Sequence, residues 1–378
     1  MSALPAIPAS VIDNAGHVWQ VHRAWPDFVP GNYVLEVLAP GRTGVQGARL
    51  REGIFELVTE DDPDLPALRK EARHGELVSH RPAIRAVVRA DGYYIKVFRP
   101  GEAVSSAERC ALIELLMDGG PFVVPRIIRS SPDVIAFSCV PGRTLGALAE
   151  DSVTTSDALF ARLWDQWSHA WTDQVQRSSA LSALASLPTH APQAEAADLW
   201  RWVNRWSRHF EGGSPAQPRG DALRSHAESV TRGLIGSAPD PLVWAHGDLH
   251  DKQILAAGTS VPLGLLDFDD TAQAEAALDL ANLDVHLELH TRRNRMAPAR
   301  FYAAHTQVMA AAKQLNVNPE RFQTYSDAVW LRLACSPLPV RSALSLAVLD
   351  ERAAHRHLVP KPTPPAAIDS SPVGSRGS

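Results

Sequence analysis

The feature that most limits what this chain can become is a pair of short apolar runs, 253–257 and 263–266, separated by the turn-forming segment 258–262. Runs this short, bounded by Gly, Ser and Pro, read as a β-hairpin. Paired strands lie about 4.8 Å apart, so the entry of the first sits beside the exit of the second. Asp248 lies in the loop before the hairpin and Asp267 at its exit. The hairpin therefore makes two carboxylates converge. One acid orients and deprotonates an attacking hydroxyl while the other holds a magnesium ion that bridges phosphate oxygens, which is the equipment of phosphoryl transfer. A positioned base is worth roughly 10²–10⁴-fold in rate. The residues thus point to a phosphotransferase that uses magnesium and a phosphoryl donor such as ATP, with Asp248 and Asp267 as its two acids.

Other chemistries compete for the same residues. Asp267-Phe268-Asp269-Asp270-Thr271 matches the Asp-x-Asp-x-Thr motif of haloacid-dehalogenase-type phosphatases, which would make Asp267 a covalent nucleophile. Such enzymes alternate strands and helices, whereas the chain beyond Thr271 reads as helical. His246 and His250 stand four apart, but Gly247 follows the first histidine where a zinc hydrolase needs glutamate. A calcium loop from Asp267 fails at Ala272 and Leu278, where Gly and Glu are required.

The 378 residues suffice for two lobes. A net charge of −5 argues against a nucleic-acid binder or a basic membrane surface. Cys110, Cys139 and Cys335 show no paired spacing, so the chain is read as a cytoplasmic protein without disulfides or structural zinc. Strands are expected at Tyr33–Leu38 and Ile54–Val58 around a Gly-rich turn region at 41–47, then at 77–79, 84–89 and Tyr93–Phe98. A helix follows over 105–117, and short apolar segments at 123–128 and 134–140 end at Pro141-Gly142. Beyond that break 158–175, 194–210 and 223–234 carry helical periodicity, and helices resume from 281 to about 358. Trp164, Trp167 and Trp171 share a helix face and read as core. The expected organisation is 1–70 as an extension packed on or continuing the N-lobe, 71–142 as nucleotide-binding N-lobe, 143–358 as catalytic C-lobe, and 359–378 as a disordered Pro/Ser-rich tail.

His246-Gly247-Asp248-Leu249-His250, then Leu266-Asp267-Phe268-Asp269 and Ala277-Leu278-Asp279-Leu280-Ala281, resemble the motifs of the aminoglycoside phosphotransferase and choline kinase superfamily. The resemblance spans roughly residues 75 to 290 and implies an α+β, bilobal protein-kinase-like fold with a small N-terminal β-sheet lobe and a larger, mainly helical C-terminal lobe. It implies Asp248 as base, Asp267 as magnesium ligand, and Asp279 and His246 as structural supports of the catalytic loop. Tyr93-Tyr94-Ile95-Lys96-Val97 resembles the strand whose lysine contacts nucleotide phosphates, with Glu108 as its ion-pair partner. The segment 137–145 is similar to the hinge that receives adenine through backbone groups, here at Ser138 and Val140.

Three departures stand out. Gln253 replaces the family's asparagine, keeping the amide oxygen as a second metal ligand or as a support for Asp248. The nucleotide-loop position, Ser79 to Arg85, lacks glycine and offers Arg81 or Arg85 instead. Ala-Glu-Ala-Ala-Leu precedes Asp279 where Gly-x-Pro is usual. These motivate one alternative, a non-catalytic nucleotide-binding or regulatory protein. The expected partner is a small molecule with a hydroxyl acceptor (aminoglycoside-like antibiotic, sugar or amino alcohol), with no nucleic acid and no membrane, acting on a monomer or homodimer. Asp270 and Glu288 would attract an amine on that acceptor.

Overall fold

The computed structural model describes residues 7–27, 29–39, 41, 43–210 and 217–358; the expected tail at 359–378 lies outside the described residues. Tyr33, Leu35 and Val37 share one strand face and are buried in one core, while Glu36 is buried on the opposite face. They sit mid-sheet in a five-stranded antiparallel meander, β1 (Ser10–Ile12), β2 (Val18–Pro26), β3 (Tyr33–Leu38), β4 (Gln46–Arg51) and β5 (Ile54–Val58). The Gly-rich turn is shorter than expected, because Gln46 and Gly47 already pair with β3.

After the short α1 (Leu68–Glu71) comes a second five-stranded antiparallel sheet. Its strands are β6 (Gly75–Arg81), β7 (Arg85–Ala90) and β8 (Tyr93–Phe98), then, beyond α2 (Glu102–Met117) and the short β9 (Phe122–Val123), β10 (Ile127–Ser131) and β11 (Val134–Ser138). The spatial order is β10-β11-β8-β7-β6, and Ala103 of α2 packs on Phe98 and Ile135.

The remainder is mainly helical: β12 (Arg143–Thr144), α3 (Leu145–Glu150), α4 (Asp157–Ser179), α5 (Pro192–Phe210) and α6 (Gln217–Gly236), then β13 (Leu242–Ala245), β14 (Ile254–Ala256), β15 (Leu263–Leu265) and β16 (Ala272–Glu275), and finally α7 (Ala276–Arg292), α8 (Pro298–Gln314), α9 (Pro319–Ala334) and α10 (Pro339–Leu358). Trp164, Trp167 and Trp171 are fully buried in one core with α7, which packs between α8 and α9. The architecture is α+β, as expected. Around Asp267 no doubly wound parallel sheet occurs among the described residues, which removes the haloacid-dehalogenase reading. No described helix is long and apolar enough to cross a membrane.

The two five-stranded sheets are tied by buried polar groups. Glu36 of β3 accepts from the Ser79 hydroxyl (3.0 Å) and the His80 N–H (2.9 Å). Gly47 N–H donates to His80 Nδ1 (3.1 Å), so the ring proton sits on Nε2 and faces Asp62 (3.4 Å). Asp62 also accepts the Ala83 N–H (2.8 Å) in the turn between β6 and β7. A Cβ at position 47 would fall 2.6 Å from His80 Nδ1, which is why glycine stands there. At its other side the first sheet meets α5, where His209 Nε2 donates to the Asp27 carbonyl (2.6 Å).

Asp62→Ala strands the His80 and Ala83 donors in a dry interface. Each unmet donor costs roughly 1–3 kcal/mol, so the unfolding free energy from urea titration should fall by that order while the folded far-UV spectrum is retained.

Candidate active site

The β14–β15 hairpin forms with Ile254 opposite Leu265 and Leu255 opposite Gly264. Leu266 N–H then closes onto the Gln253 carbonyl at 3.0 Å, so the loop carrying Asp248 and the exit carrying Asp267 meet as the turn spacing predicts. A second pair, β13 with β16, was not legible in the sequence; it sets Ala245 opposite Ala272 and clamps the two loops from their far ends. Asp267 has φ +64°, a region L-residues seldom occupy, and it is held there by the hairpin and by Lys96.

Asp279, at the start of α7, shapes the Asp248 loop. Its carboxylate accepts the N–H groups of His246 (2.6 Å), Gly247 (2.9 Å) and Leu249. Burial pushes this carboxyl up, while the three donors and His246 pull it back toward the anion. His246 is fully buried, donates Nε2–H to the Leu266 carbonyl (2.7 Å) and packs on Phe268, and so ties the two loops together. Gly247 sits at φ +88°, and a Cβ there would lie 2.0 Å from the Asp270 carbonyl oxygen, so only glycine fits.

Asp248 lies on the floor of a cleft. Protein crowds it, yet about 40% of its side chain stays open. Burial first, with Asp267 adding to it, raises its carboxyl above the usual range against the pull of Arg332. Asn282 Nδ2 reaches Asp248 Oδ1 at 3.4 Å and the Leu249 carbonyl at 2.9 Å, and Arg332 holds the other end of that amide at 2.5 Å. Asn282 and Arg332 are absent from the sequence reading. The first stands one helical turn after Asp279 and was readable from the period; the second comes from α9 with no local signal.

Lys96 Nζ spans Asp267 Oδ1 (3.1 Å) and both oxygens of Asp269 (3.1 Å). Burial opposes the charge on Asp267, but Lys96, aided by Arg85, brings its carboxyl down to about 2. The expected Lys96–Glu108 pair does not form. Glu108 is exposed on the outer face of α2, and Arg109, one residue on, reaches the cleft and donates to the Asp269 carbonyl. The helix begins at Glu102 and its phase turns position 108 outward.

Gln253 is buried and its Oε1 accepts the His250 N–H (3.1 Å), so its amide oxygen braces the Asp248 loop. Ser138 donates its N–H to the Arg126 carbonyl (2.9 Å) and its hydroxyl accepts from Arg126 N (3.0 Å), and Val140 packs over Gly264 of β15. Glu288 is engaged by Arg292 at 2.7 Å. Among the described residues no cluster of three or more His, Cys, Asp and Glu has the arrangement of a metal site.

A cavity of about 380 Å³ opens beside Asp248 and Asp270. Glu195, Asp198 and Trp202 of α5 form its opposite wall, with His190 and Arg332 at its edge. His190 donates to Glu195 at 2.8 Å, and that bond raises the imidazole's pKa. Burial, then Asp248, Asp269 and Asp267, raises the carboxyl of Asp270.

A family model described as the phosphotransferase enzyme family matches residues 79–315. The chain belongs to that family. It is therefore a phosphotransferase by family. No curated protein sequence matches this phosphotransferase. Solved structures that resemble it include an aminoglycoside phosphotransferase from Streptomyces rimosus, with 17% identity over 70% of this chain and 95% of that chain and a TM-score of 0.46. A glucosamine kinase has 17% identity over 93% of this chain and 98% of that chain, TM-score 0.48. A macrolide 2'-phosphotransferase type I has 20% identity over 77% and 98%, TM-score 0.46.

Gly247→Ala tests the loop geometry of this phosphotransferase. The clash and the left-handed backbone together should cost more than about 2 kcal/mol and abolish turnover, read by thermal unfolding beside a phosphoryl-transfer assay.

Proposed function

We propose that this phosphotransferase moves the terminal phosphate of Mg-ATP to a hydroxyl of a small polyhydroxylated, amine-bearing acceptor such as an amino sugar. One observation carries the reading: Asp248 belongs both to the loop that faces Asp267 and Lys96 and to the acidic cavity beside α5. Residues 71–142 would hold the nucleotide and residues 143–358 the acceptor. The purine would lie along 138–140 and meet the Ser138 carbonyl, since that residue's N–H is already engaged.

The donor set near Lys96 suits magnesium. Asp267 and Asp269 supply hard oxygens with about 40% of each side chain open, and the Lys96 ammonium already spans both. Magnesium takes one or two carboxylates and completes its shell with water and phosphate oxygens, so no closed protein cage is needed. Asp267 and Asp269 would hold it, in place of the expected Gln253, and when bound it would bridge and neutralise phosphate oxygens. Lys96 then contacts the phosphates, and Asp248 aligns the acceptor hydroxyl and takes its proton.

The cavity supports the acceptor class. Glu195, Asp198, Asp248 and Asp270 outnumber Arg332 and His190, and Trp202 offers an aromatic wall for a sugar face. Such a lining favours hydroxyls and a positive charge and disfavours anions.

Asp248→Asn should lower kcat by about 10²-fold or more while ADP binding by calorimetry changes little. Wild-type-like turnover in that variant would remove the assigned base. Because Asp248 acts only when ionised and its pKa is raised, activity should be lost as pH falls through a value above the ~4 of an exposed carboxylate. A pH profile of kcat/KM reads this directly. A coupled ADP-release screen should favour amino sugars and aminoglycosides over neutral sugars and sugar acids; preference for an acidic acceptor would reject the class.

A further inference from the structure

Phosphate-cradling loops ordinarily use backbone N–H groups. The turn between β6 and β7 cannot. Pro82 has no N–H, Ala83 N–H is held by Asp62 (2.8 Å), Ile84 N–H by the Arg81 carbonyl (3.0 Å), and His80 N–H by Glu36 (2.9 Å). Ala83 sits at φ +62°, which turns its N–H toward Asp62. With these donors committed, gripping an anion on this side of the cleft is left to side chains.

Two arginines flank the turn, and they part company. Arg81 lies over the Trp25 ring at 5.0 Å, beside the first sheet. Arg85 enters the cleft, where its Nη1 donates to Asp269 Oδ2 at 2.7 Å. That same carboxylate binds Lys96, so Arg85 stands next to the lysine assigned above to the phosphates. Its side chain is about 42% exposed, open enough to exchange one oxyanion partner for another.

We infer that Arg85 is the side chain that grips the terminal phosphates of the bound nucleotide, in place of a loop of backbone N–H groups. The inference rests on the nucleotide reading given above. The guanidinium fork matches two phosphate oxygens as well as it matches a carboxylate, and its exchange from Asp269 to phosphate frees that acid for a cation. Arg85 makes one charge-assisted bond to Asp269, and a phosphate group offers its fork two.

Calorimetry with a non-hydrolysable ATP analogue, ADP and adenosine tests it on the full chain and on Arg85→Ala, Arg85→Lys and Arg81→Ala. Arg85→Ala should weaken the ATP analogue roughly 10- to 100-fold and adenosine less than about 2-fold, with Arg85→Lys in between. Arg81→Ala should stay within about 2-fold of wild type for all ligands. Equal losses in the two alanine variants, or equal losses for adenosine and the ATP analogue, overturn the inference. If wild type binds the analogue and Arg85→Ala binds it equally well, Arg85 alone is misassigned. If wild type binds none of the ligands, the nucleotide reading fails and this one with it.

Discussion

One buried carboxylate sets the geometry on which the site depends. Asp279 collects the N–H groups of His246, Gly247 and Leu249, which fixes the entry of the Asp248 loop away from water. Since Asp279 is fixed to the first turn of α7, and α7 is clamped between α8 and α9, the position of Asp248 is inherited from the core of the helical portion. The acid facing the cleft touches solvent, but its scaffold does not.

The cleft concentrates negative charge in a small volume. Burial first, and then the neighbouring carboxylates, push Asp248 and Asp270 toward protonation. Lys96 relieves this at one end only, leaving Asp267 fully ionised while Asp248 stays raised. Neighbouring carboxylates of different basicity can divide labour, one holding cations and one accepting a proton. Hairpin register places them, and the single lysine sets them apart.

The sequence disclosed the hairpin almost to the residue, because two short apolar runs around a Gly/Pro-rich turn have few alternatives. Tyr33–Leu38, Ile54–Val58 and Tyr93–Phe98 were legible for the same reason. Val18–Pro26 was not, since it runs from a buried Trp19 through exposed His22 and Arg23 to a half-buried Trp25 with no clean alternation. The Glu108 expectation failed on helix phase, a quantity fixed by where α2 starts and not by composition. Gln253 was singled out for its amide oxygen, but the partner of that oxygen, a backbone N–H three residues earlier, appears only once the loop is folded. Arg332 and the α5 wall of the cavity come from distant helices, so no local pattern could have named them.

The fastening of the β6–β7 turn has a consequence for how that side of the cleft can move. A glycine loop can flap open, but here Asp62 and Glu36 pin the turn from behind and His80 wedges against the bare α-carbon of Gly47. The turn cannot shift alone without breaking those buried bonds to the first sheet. That sheet is in turn moored to α5 through Asp27 and His209. The stiffness of the turn is thus lent to it by a segment that is no part of the cleft.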